Sequence, residues 1–227
     1  MDNTYKPDSI LELEKKYGIT LENRTGLKVD YTHKKYFQLN ESGEVIVLRI
    51  REAGIKEIKK MDLFPSLMTL DLSSNYIIKL EGLDKLTKLK ELYLENNQIL
   101  EIEGLNKLSD LRTLSLENNQ ISELKGLNKL INLQTLSFSN NQISELKGLD
   151  KLINLKILSF SDNQISELKG LDKLIELEKM FLSNNRLVKL KGLSELTNLQ
   201  ELYLHNNMIN VLDEIDQLTN LKILSLE

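Results

Sequence analysis

Leucine, or a close substitute, returns every 22 residues at Val45, Leu67, Leu89, Leu111, Leu133, Leu155, Leu177, Leu199 and Leu221. This period constrains the fold more than any other feature, because self-similarity at a fixed spacing means one structural unit used many times. Within a unit the pattern is LxxLxLxxNxIxxLxxLxxL; one instance is Leu89, Leu92, Leu94, Asn97, Ile99, Ile102, Leu105 and Leu108. Eight full units run from Val45 to Asn220, and a ninth stops after Leu226.

So many leucines first suggest a coiled coil, but heptads need spacings of three and four. Each unit here contains an LxL step of two and an Asn at a fixed place. A step of two puts the residue between the leucines on the opposite face, which predicts a short strand. The following run of threes suits 3₁₀ or extended backbone. A lone unit of this kind has no second layer to bury its leucines against, so the units must stack into a quasi-one-dimensional solenoid. Parallel strands ~4.8 Å apart give eight turns a length of about 40 Å.

The pattern resembles the leucine-rich repeat family, of the 22-residue type found in the regulatory subunit of protein phosphatase 1 and in bacterial internalins. The resemblance implies an α/β repeat solenoid: a right-handed curved horseshoe with a parallel β-sheet on the concave face and 3₁₀ or extended segments on the convex face. Residues 45–227 form the expected solenoid, and residues 1–44 an N-terminal cap of a helix plus a β-hairpin.

The fixed asparagines are Asn75, Asn97, Asn119, Asn141, Asn163, Asn185 and Asn207, with Ala53 in their place in the first unit. They read as buried amides that satisfy backbone groups left over where each strand turns. Gly82, Gly104, Gly126, Gly148, Gly170 and Gly192 read as turn residues; no GK[ST] follows them, so they make no phosphate loop.

In the cap, Ser9 and Glu12 fit a capping box, Ile10, Leu13 and Tyr17 share one helix face, and Gly18 ends the helix. Tyr36–Leu39 and Val45–Leu48 flank Asn40-Glu41-Ser42-Gly43 as a hairpin that would cover the first sheet edge. The C-terminal edge has no such cover. The chain is therefore expected to be a fragment of a longer protein, with end-to-end self-association through the uncapped repeat as a further expectation.

Function classes narrow quickly. A net charge of −4 favours neither nucleic acid nor an anionic membrane. The absence of Cys removes disulfides, thiolate metal sites and a Cys nucleophile. No apolar signal stretch opens the chain and no run of 18 apolar residues occurs, so a cytoplasmic protein is expected. His33 and His205 lie far apart with no HExxH spacing. No cofactor, no metal and no enzymatic activity are expected. The Glu123, Glu145, Glu167 column and the Lys125, Lys147, Lys169 column read as charge-balanced solvated surface.

Concave side chains carry the functional signal. The residue inside LxL gives Arg49, Asp71, Tyr93, Ser115, Ser137, Ser159, Phe181, Tyr203 and Ser225. The middle units are small, polar and nearly identical, as recent duplication leaves them; the flanks are diverse. Phe181, Tyr203, His205, Arg186, Met208, Lys179 and Glu201 should cluster near the C-terminal end, and aromatic residues with Arg are the usual anchors of protein interfaces. A second patch joins Arg49, Arg51, Asp71, Tyr76, Glu91 and Tyr93. Phe138 and Phe160 replace the second Leu of LxL and are core. The expected function is a non-enzymatic protein-interaction module with a folded protein partner. Ser115, Ser137 and Ser159 stand where the phosphatase-binding relative carries acidic and aromatic residues, so that partner is not transferred. The alternatives are a sensing region of a larger signalling protein, such as a Roco-like GTPase, and an internalin-like adhesin.

Overall fold

The structure is a computed structural model that describes residues 5–27 and 32–226. Glu227, the last residue of the expected ninth unit, lies outside the described residues. The N-terminal segment contributes α1 (Asp8–Tyr17), β1 (Glu22–Asn23) and β2 (Lys35–Leu39), followed by β3 (Val45–Ile50). One three-residue strand per unit then follows: β4 (Thr69–Asp71), β5 (Glu91–Tyr93), β6 (Thr113–Ser115), β7 (Thr135–Ser137), β8 (Ile157–Ser159), β9 (Lys179–Phe181), β10 (Glu201–Tyr203) and β11 (Ile223–Ser225).

All eleven strands form one sheet in chain order. From β3 onward every pairing is parallel and advances by one unit, as in Leu92 opposite Leu114 and Leu114 opposite Leu136. The result is a parallel-sheet solenoid of about eight turns. Among the described residues α1 is the only α-helix, and 3₁₀ turns occur at Met61–Leu63 and Ile215–Gln217; the other return segments are runs of tight turns, as where Leu86 N–H donates to Leu83 O and Leu89 N–H to Leu86 O. The leucine positions of the repeat form one continuous core running the length of the chain. Phe138 and Phe160 are fully buried in it, their rings 5.4 Å apart.

The asparagine ladder shows what a fixed amide does in each turn. Asn141 Nδ2 donates to Leu116 O at 2.9 Å and Phe138 O at 3.0 Å, and its Oδ1 accepts from Ile121 N–H at 3.0 Å. Each amide thus ties its own turn to the one before. At Ala53, where the ladder begins without an amide, Asn75 Oδ1 accepts from the Ala53 N–H in addition to its regular donor, the Ile55 N–H. On the convex side Gly148 has φ +97°, and a Cβ there would meet Leu124 O at 2.7 Å. That position holds Glu214 in the eighth unit, also at positive φ, and its carboxylate accepts from the N–H groups of Gly192, Leu193 and Ser194.

The N-terminal segment packs on the first turn, with Ile10, Leu13, Leu21 and Phe37 fully buried. Gly18 terminates α1 in the left-handed conformation. The expected capping box is absent: Pro7 is the N-cap, without a side-chain cap bond, and Glu12 is drawn instead to Lys60 on the first convex turn. β2 and β3 pair antiparallel as a hairpin. The parallel strand β1 beside β2 was not foreseen, being only two residues long.

Candidate functional site

In β4 to β10 the middle residue is buried core, in β11 it is half-buried, and the two residues beside it face the concave side. The in-register pairing stacks these outward residues into columns. Asp71, Tyr93, Ser115, Ser137, Ser159, Phe181, Tyr203 and Ser225 follow one another across β4 to β11. The concave character therefore changes along the solenoid as the sequence of that column changes.

At the C-terminal end the Phe181 and Tyr203 rings stack with centroids 4.8 Å apart and planes 5° from parallel. Both are half-buried and stand outside the leucine core. Beside them Lys179 Nζ lies 2.7 Å from Glu201 Oε1, and Tyr203 Oη donates to Glu201 Oε2 at 3.1 Å. The Lys179 ammonium holds the Glu201 carboxyl below the usual carboxylate range, while burial, and then Glu201 itself, raise the Tyr203 phenol. His205 Nε2 and Ser225 Oγ share a hydrogen bond of 2.6 Å. Arg186 and Met208 occupy one repeat position on successive turns, past the ladder asparagine, and are exposed at the rim. The structure thus brings Phe181, Tyr203, Lys179 and Glu201 into one linked group, with His205 on the neighbouring column.

The N-terminal patch is different from its expectation. Arg49 and Asp71 are only 4% and 3% exposed. Arg49 Nε lies 2.9 Å from Asp71 Oδ2, and its guanidinium lies over the Tyr36 ring at 5.3 Å from the centroid. Asp71 Oδ1 also accepts from Ser73 N–H at 3.0 Å. These two residues join the N-terminal segment to the first strands instead of lining a free surface. The reason is that cross-strand neighbours of opposite charge satisfy each other once Tyr36 covers them. Arg51, Tyr93 and Glu91 remain partly exposed and Tyr76 exposed.

Between the patches the wall is hydroxyl-rich. Ser139 Oγ and Ser159 Oγ hydrogen-bond at 2.7 Å, and Ser137 donates to Glu117 Oε1 at 2.6 Å. On the convex side Lys125, Lys147 and Lys169 pair with Glu123, Glu145 and Glu167 of their own turns, so the two charge columns neutralise each other within each unit. Among the described residues no group of three His, Cys, Asp or Glu could hold a metal ion, and no helix is long and apolar enough to cross a membrane.

Two features escaped sequence reasoning. Burial of Arg49 and Asp71 was signalled by their opposite charges on adjacent strands at one repeat position. Glu214 was signalled by standing where six earlier units have Gly.

No curated protein matches the chain by sequence. Among solved structures, internalin C2 from Listeria monocytogenes is 26% identical over 96% of this chain and 92% of its own, with a TM-score of 0.77. A leucine-rich repeat protein from Leptospira interrogans is 29% identical over 83% of this chain and 52% of its own, with a TM-score of 0.71. The family described as Leucine Rich repeats (2 copies) matches in overlapping pairs over residues 65–107, 87–129, 109–151 and 131–173, and again over 175–215. With the ladder, the register and the strand in every turn already agreeing, this match over most of the solenoid shows that the chain belongs to the leucine-rich repeat family.

Proposed function

We propose that the chain is a non-enzymatic module that binds a folded protein through the C-terminal end of its concave face. Phe181, Tyr203, Lys179 and Glu201 form the contact centre, with His205, Arg186 and Met208 around it. The fold is of a protein-interaction scaffold type, and the observation that carries the assignment is the stacked, half-exposed Phe181–Tyr203 pair. Aromatic residues concentrate binding energy at interface centres. The sheet that carries them is fixed by backbone pairing on both sides, so little freedom is lost on docking. Lys179 and Glu201 neutralise each other, which leaves a patch suited to an apolar or aromatic anchor from the partner. In this reading residues 1–44 are the cap, and Arg51 and Tyr93 are a secondary contact.

A second reading makes the chain the sensing region of a larger signalling protein, such as a Roco-like GTPase. It draws on the exposed Val211, Leu212 and Ile223 of the last turn, an apolar surface suited to contact with further structure.

The test compares proteins captured by the chain with those captured by the Phe181→Ala, Tyr203→Ala variant. A Ser137→Ala variant is the control. A partner lost only with the ring variant, at unchanged thermal stability, is the expected result. Equal capture by all three removes the patch from consideration.

A further inference from the structure

Ile131, Ile153 and Ile175 stand 50%, 51% and 51% exposed on consecutive turns. The same repeat position carries Pro65, Thr87, Ser109, Thr197 and Thr219 in the other units, so the apolar ridge is confined to three neighbours. It lies on the flank that leads into β7, β8 and β9, away from the concave patch. The ridge is held by its own ladder: Asn154 Nδ2 donates to Ile131 O, and Asn198 Nδ2 to Ile175 O, both at 2.9 Å. A groove of about 620 Å³ opens between Ile153 and Ile175, walled also by Lys156, Lys173, Glu176 and Glu195.

Charge around this ridge is polarised along the solenoid. Toward Ile131 the exposed flank carries Lys107, Arg112 and Lys129 against Asp110 alone. At the centre Lys151 pairs with Asp150, and Lys156 reaches Glu178 Oε1 at 2.8 Å. Toward Ile175, Lys173 is paired with Asp172, which leaves Glu176 and Glu195 in excess. A face for an anionic membrane would be basic throughout; half of this one is acidic. An apolar ridge with opposite charge at its two ends is complementary to itself when turned end for end.

We infer that a second copy of this chain docks on the isoleucine ridge, antiparallel, with Ile153 near the two-fold axis and Ile131 of one copy beside Ile175 of the other. Such an isologous contact closes on itself and leaves both concave faces free. Three isoleucines fall well short of the ~800 Å² per partner of a standard interface, so the flanking charged columns complete it. The dimer is accordingly weak and salt-sensitive.

Sedimentation velocity of the purified chain, from low to several hundred micromolar and at two salt concentrations, tests this. The expected result is a concentration-dependent dimer that high salt weakens. Ile131→Thr, Ile153→Thr, Ile175→Thr introduces the residue that Thr87 and Thr197 already place there, and should raise the dissociation constant at least tenfold with unchanged thermal unfolding. Mixing a Lys107→Glu, Lys129→Glu variant with a Glu176→Lys, Glu195→Lys variant should restore pairing that neither shows alone. A wild-type chain that stays monomeric overturns the proposal. So does a dimer that survives the threonine variant, or one lost on changing Ile223 and Leu226 of the last turn. The Phe181→Ala, Tyr203→Ala variant should dimerise normally, which separates this contact from the concave one.

Discussion

The Glu214 carboxylate reaches back one turn to the amide of Gly192, accepting its N–H at 2.7 Å, and the same oxygen accepts from Leu193 and Ser194 at 2.9 and 3.1 Å. Three backbone donors, Gly192 foremost, hold its pKa below the usual carboxylate value. A carboxyl whose pKa is lowered on folding adds stability above its unfolded pKa and loses it as pH falls through the lowered value. Glu214→Gln should therefore lower Tm by a few degrees at neutral pH, and less as the pH drops toward 3, so the two melting curves converge in acid. A constant offset across pH would assign the effect to packing.

Asn141→Ala removes one acceptor and two short donor contacts within the buried ladder. Orphaned buried backbone groups cost about 1–3 kcal/mol each. A loss of roughly 3 kcal/mol or more is expected in urea unfolding, with amide exchange rising first at Ile121. Asn141→Asp keeps the acceptor for Ile121 but cannot donate to Leu116 O and Phe138 O, so it should be nearly as damaging.

Gly148→Ala forces a Cβ against Leu124 O at 2.7 Å with φ at +97°. Strain of this kind costs about 1–3 kcal/mol. The same change at Gly54, which has open space and φ +72°, should cost less. Equal penalties would mean that φ alone decides.

Asp71→Ala removes the carboxylate that faces the buried Arg49 guanidinium, and breaking a buried ion pair from one side typically costs about 3–5 kcal/mol. The loss should appear in thermal unfolding as earlier release of the N-terminal segment, since Tyr36 stacks on that guanidinium. Binding at the C-terminal patch should be unaffected in the folded fraction.

The repeat architecture was legible because LxL and the fixed asparagine each encode one local requirement, repeated at one spacing. Leu92 and Leu94 could only be core on one face, and Phe138 and Phe160 followed by position. The stacked pair was also placed by column arithmetic, as Phe181 and Tyr203 lie 22 apart. Arg49 and Asp71 were misplaced because position tells which way a residue points but not what covers it. Tyr36 comes from the N-terminal segment, outside the period. The Ser9–Glu12 cap failed because the helix starts at Asp8 with Pro7 as its N-cap, which puts Ser9 inside the first turn and leaves Glu12 to pair with Lys60, far along the chain. Contacts that cross from the irregular segment to the regular one are the ones that a period cannot carry.

The asparagine ladder also sets how the molecule gives way under tension. Each amide holds its own coil to the preceding one, and among the described residues the ladder bonds join adjacent coils only. Tension along the array would therefore be shed in steps of one 22-residue coil. A pull on the N-terminal segment must first tear Arg49 from Asp71 and α1 from its seat before the coils themselves bear load.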